Sequence, residues 1–128
     1  MKPLLAISAL LLAGCAAPPT RTIQIDSNPP GAKIFFAVGA NEDFANGAKQ
    51  YLGTAPLAWT TECNGDGTFK LPGALVYSLF VPPVAVFTAD PPAGQTNLFP
   101  HRLVYHGGTV ATPPTKIPSG IYFDLTKP

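Results

Sequence analysis

Proline constrains this chain more than any other residue type. Sixteen of the 128 residues are proline, and twelve more are glycine. Proline removes a backbone donor and clashes with the preceding helical turn, and the prolines are spaced so that no long helix is expected. The apolar segments between them are rich in Val, Ile, Phe and Tyr, which suit a pleated surface. The expected fold class is therefore all-β: a small single-domain β-sandwich of about seven strands.

The strands are read from short segments between turn signals. Thr22-Ile23-Gln24-Ile25-Asp26 alternates apolar and polar residues with the period of a half-buried strand. Pro30-Gly31 suits the central pair of a type II turn, because proline holds φ negative and glycine tolerates a positive φ. Ala32 to Val38 reads as the next strand, with Ile34, Phe36 and Val38 on one face. Gly39 to Gln50 is polar and is expected to be an exposed loop or hairpin tip. Gly53 and Pro56 mark a turn, after which a strand runs from Leu57 through Trp59 to Thr61. Asn64-Gly65-Asp66-Gly67 is the strongest tight-turn signal. It lacks the spaced oxygen ligands of a calcium loop.

Leu75 to Ala89 is strongly apolar, and Pro82-Pro83 divides it into two expected core strands. Asp90 to Asn97 and Gly107 to Pro114 read as loops. Phe99 to Tyr105 reads as a strand, with Pro100 marking an edge position or a late start, and Ile121 to Leu125 as the closing strand. The core is expected to draw on Ile25, Ile34, Phe36, Leu57, Trp59, Val76, Leu79, Val84, Val86, Leu103 and Phe123.

The first fourteen residues are expected to lie outside this fold. Lys2, an apolar run from Leu4 to Leu12 and a small-residue exit describe a secretory leader. The run is shorter than the roughly 20 residues a spanning helix needs. Its end, Leu12-Ala13-Gly14-Cys15, resembles a bacterial lipobox. That resemblance implies cleavage before Cys15 and lipidation of the Cys15 thiol and freed amine, with more than one acyl chain making the anchor stable. Ala16, in place of an aspartate, implies sorting to the outer membrane, facing the periplasm. The expected organisation is a signal peptide over 1–14, a lipidated tether over 15–21 and a β-sandwich over 22–128.

Two motifs carry a further resemblance. Ser27, Pro29, Gly31 and Ala32, followed by Gly53, Pro56 and Leu57, resemble the paired motifs of the PEGA domain family. Pro30 stands where that family has glutamate. Ala55 stands where it has threonine, with Thr54 just before it. The resemblance covers roughly residues 22 to 61. It implies a small PEGA- or prealbumin-like sandwich tethered to the bacterial envelope. Its motif residues form turns, and it brings no catalytic residues.

Charge and chemistry narrow the function. Of eight Lys and Arg, Lys2 leaves with the leader, so the remaining seven equal the seven Asp and Glu. A neutral domain lacks the clustered basic residues that nucleic acid requires, so no nucleic-acid partner is expected. His101 and His106 stand five apart, on opposite faces of a regular strand, and a metal site is not expected. Ser27, Ser78 and Ser119 lack the nucleophile-elbow pattern. Glu42-Asp43 is an adjacent pair in a polar loop. No phosphate loop or dinucleotide fingerprint is present, so neither a cofactor nor an enzymatic activity is expected.

With Cys15 consumed by lipid, Cys63 is expected to be an unpaired thiol, either buried or reactive. The leading expectation is a lipid-anchored envelope module that binds or scaffolds another protein. The alternative is binding of peptidoglycan or a surface glycan through Trp59, Tyr51, Tyr105 and Tyr122.

Overall fold

The computed structural model describes residues 17–70, 83–109 and 112–128, apart from the side chains of Asp43 and Phe44. Among these residues seven strands and one short helix form two sheets: β1 Thr20–Asn28, β2 Lys33–Gly39, α1 Glu42–Gly47, β3 Gln50–Thr54, β4 Leu57–Glu62, β5 Val84–Asp90, β6 His101–His106 and β7 Gly120–Asp124. One sheet has the order β4-β1-β7 and the other β3-β2-β5-β6. The chain is thus all-β with two sheets. Of the expected core strands, Leu75 to Val81 lies outside the described residues.

The alternation in β1 does what its period requires. Ile23 and Ile25 are fully buried, while Thr22 and Gln24 are exposed. β1 pairs antiparallel with β4, Ile23 opposite Trp59, and parallel with β7, Ile25 opposite Ile121. Across the interior, Ile34, Ala85, Phe87 and Ala89 of the second sheet meet Ile23, Ile25, Ile121 and Phe123 of the first. Phe87 is fully enclosed by rings, with centroids of Phe36 at 4.9 Å, Trp59 at 5.8 Å, Tyr105 at 6.0 Å and Phe69 at 6.1 Å.

The two turn segments, Ser27–Ala32 and Gly53–Leu57, lie against each other. Gly31 N donates to Ala55 O at 2.8 Å, and Ala55 N donates to Ala32 O at 2.9 Å. Ser27 Oγ donates to Pro29 O at 2.8 Å, which closes the first turn on itself. Gly31 has φ +104°, and a Cβ there would come 3.3 Å from Pro92 Cγ. Gly31→Val combines backbone strain with that contact and is expected to destabilise by about 1–3 kcal/mol. Thermal unfolding of the variant beside wild type checks this, and an unchanged midpoint would remove the argument for the turn.

Three sequence expectations are corrected. The polar stretch after β2 is not simply a loop, because α1 folds back over the outer face of the second sheet. Ala45 is fully buried there with Ala37, Val84 and Val86. Gly39 permits the approach, since a Cβ would lie 2.7 Å from Ala45 N. Second, Val84 and Val86 are buried, but in this smaller cluster rather than between the sheets. Third, Leu103 is 37% exposed. Its strand β6 is the edge strand of the four-stranded sheet. β3 was also not foreseen. It joins β2 through a bulge opposite Ile34/Phe35.

Candidate functional site

A cavity of about 230 Å³ lies at one end of the sandwich. It is assembled from four chain segments. The first is the hairpin tip that follows β4. Cys63 and Phe69 form an antiparallel bridge, Asn64 N donates to Thr68 O at 3.0 Å, and Gly67 N donates to Asn64 O at 2.9 Å. The turn signal at Asn64–Gly67 is therefore a turn in the structure. The second segment is the start of β5, with Pro83 and Ala85. The third is the end of β6 with Tyr105, His106 and the Gly107-Gly108 that follow. Pro114 and Thr115 complete the wall, held by Thr115 N donating to His106 O at 3.0 Å.

One wall is apolar. Phe69 and Tyr105 lie with ring centroids 5.7 Å apart and planes 37° apart. The polar part of the lining is internally ordered. Asn64 Nδ2 donates to Thr68 Oγ1 at 2.9 Å and to Phe69 O at 3.0 Å, leaving Asn64 Oδ1 as an acceptor. Asp66 Oδ1 accepts from Thr68 Oγ1 at 2.6 Å and Thr68 N at 3.1 Å. The Thr68 side-chain bond, then its backbone bond, hold the Asp66 carboxyl below the usual range, with a smaller contribution from Lys116. The rim therefore carries a carboxylate at neutral pH. Burial pushes the Tyr105 phenol up, so it stays a neutral donor.

The residues singled out in the sequence fall apart in space. Cys15 and Ser78 lie outside the described residues. Cys63 is a free thiol, 4% exposed, inside the main core. Ser27 serves its turn, and the Ser119 carbonyl accepts from Gln24 N at 3.0 Å. Glu42 makes an exposed ion pair with Arg102 at 3.7 Å, of the kind worth little in water. His106 lines the cavity, whereas His101, at the other end of β6, donates from Nε2 to Lys127 O at 2.6 Å. Among the described residues no three His, Cys, Asp or Glu gather as a metal site.

The four candidate aromatics are also dispersed. Trp59 packs 4.7 Å from Phe36 in the interior. Tyr51 and Tyr122 are exposed on different sheets, and only Tyr105 lines the cavity. The cavity as a whole was not foreseen. Its residues are far apart in sequence and form no motif, and Asn64 and Asp66 signal only a turn. No protein-family model, curated protein or solved structure matches the chain.

Proposed function

We propose that this chain is a lipid-anchored protein of the bacterial cell envelope, held on Cys15 in the outer membrane and facing the periplasm. Its PEGA- or prealbumin-like sandwich binds or scaffolds another protein without catalysis. The anchor rests on the lipobox-like Leu12-Ala13-Gly14-Cys15. The binding role rests on one observation, the open flank along the outer edge of β6, the edge strand of its sheet. Leu103, 37% exposed, lies on this strand, and Phe99 just before it is also exposed.

The backbone there supports the same reading. Gly107 N donates to Pro83 O at 2.7 Å, which sets the phase of the β5–β6 ladder. By the alternation of an antiparallel pair, Leu103 and Tyr105 bond to β5, while the amides of Arg102 and Val104 point outward. Outward amides beside exposed apolar side chains are what an added strand from a partner uses.

A photo-crosslinking residue at Leu103 in the lipidated full-length protein is expected to capture one envelope protein in cells. The same probe at Thr60, on the far edge of the other sheet, is expected to capture none. Equal adducts at both positions, or none at Leu103, would remove the docking role.

A further inference from the structure

We infer that the cavity beneath the Asn64–Phe69 hairpin is a binding site for one neutral pyranose ring. The site is separate from the open flank and does not depend on it. Size gives the first constraint. A cavity of about 230 Å³ exceeds the roughly 150 Å³ that holds benzene. It falls below the roughly 300 Å³ at which drug-sized pockets begin. One six-membered ring with its substituents fits, and two do not.

Chemistry gives the second constraint. The Phe69 and Tyr105 rings form a continuous apolar wall, suited to the C–H face of a sugar. The lining also offers acceptors that the protein does not use up: Asn64 Oδ1, because Nδ2 makes both hydrogen bonds of that amide, and Asp66 Oδ2, because Oδ1 takes both bonds from Thr68. The Tyr105 hydroxyl and Thr115 add donors. A fully apolar ring would leave these groups desolvated without partners, which is costly. An anionic ligand would meet the Asp66 carboxylate. A neutral ring with one apolar face and peripheral hydroxyls satisfies both parts of the lining.

Saturation-transfer NMR on the full-length protein in detergent tests this, with glucose, galactose and N-acetylglucosamine as probes. At least one is expected to receive saturation on its ring C–H protons with millimolar affinity. Tyr105→Phe keeps the wall and removes one donor, and should weaken binding about threefold to tenfold. Thr115→Trp adds bulk at an exposed rim position without removing a core contact, and should abolish the transfer. Tyr122→Ala, on the other sheet, should leave it unchanged. The inference is overturned if no probe binds, if either cavity variant binds like wild type, or if Tyr122→Ala removes the signal.

Discussion

Phe87→Ala is expected to cost about 3–5 kcal/mol of folding stability, the largest effect of any single truncation among the described residues. Phe87 is fully buried and ringed by Phe36, Trp59, Phe69 and Tyr105. Those four rings sit on β2, β4, the hairpin tip and β6. Closing the void would mean moving four separately anchored segments, so relaxation is limited and the cavity penalty is nearly whole. A loss of this size is a large fraction of the roughly 5–15 kcal/mol that keeps a domain folded.

Denaturant unfolding provides the measurement, followed by the fluorescence of Trp59. It is the single tryptophan, and it meets Phe87 edge-on at 80°. The midpoint should fall with little change in slope. Leu103→Ala, at a position left open to solvent, should cost far less. If the two variants lose equal stability, the assignment of the core centre to Phe87 is wrong.

Cys15→Ala is expected to abolish lipidation altogether. The proposed anchor depends on one sulfur atom, and no other residue of the lipobox-like run can form the thioether. Each buried CH₂ contributes about 0.8 kcal/mol to membrane affinity, so acyl chains added at this residue account for nearly all of the attachment. Growth with a fatty-acid analogue, followed by detection on the isolated protein, reads this directly. Wild type should be labelled and cut before Cys15. The variant should carry no label and retain residues 1–14, seen as a larger mass. Label persisting on the variant would refute the anchor.

What the sequence reveals of this fold depends on how many faces each strand buries. β1 was legible because one face is wet: Ile23 and Ile25 alternate with Thr22, Gln24 and Asp26. In Val84-Ala85-Val86-Phe87 all four residues are buried, so alternation carries no information. The larger β-branched pair Val84 and Val86 looked like the interior face, yet Ala85 and Phe87 occupy it. The cause is α1, a six-residue helix that covers the other face; among its described side chains Ala45 is fully buried. One alanine gives no periodic signal.

Leu103 illustrates a different limit. Its alternation places it on the interior face beside Tyr105, as expected. Its 37% exposure is a tertiary outcome that no local pattern encodes. The cavity is hidden for the same reason. Tyr105 stood among the candidate aromatics and Asn64–Gly67 among the turns, but only tertiary folding brings residues 64–69, 83–85, 105–108 and 114–115 to one place.

If Cys15 carries lipid as proposed, the pairing at the start of β1 sets which end of the domain faces the membrane. Thr20 pairs with Glu62, and Cys63 N donates to Pro19 O at 2.9 Å, so the chain enters the sandwich beside the cavity-bearing hairpin. From Cys15 to Thr20 the leash is five residues, at most roughly 17 Å when fully extended. With lipid on Cys15, the domain cannot stray far from the bilayer, and the hairpin end is the end nearest the lipid headgroups. Pro30-Gly31 and the Leu125 amide, which bonds Asn28 O at 2.8 Å, lie at the opposite pole. A tag fused after Pro128 would therefore project away from the membrane, and the open flank would stand side-on to it at a nearly constant height.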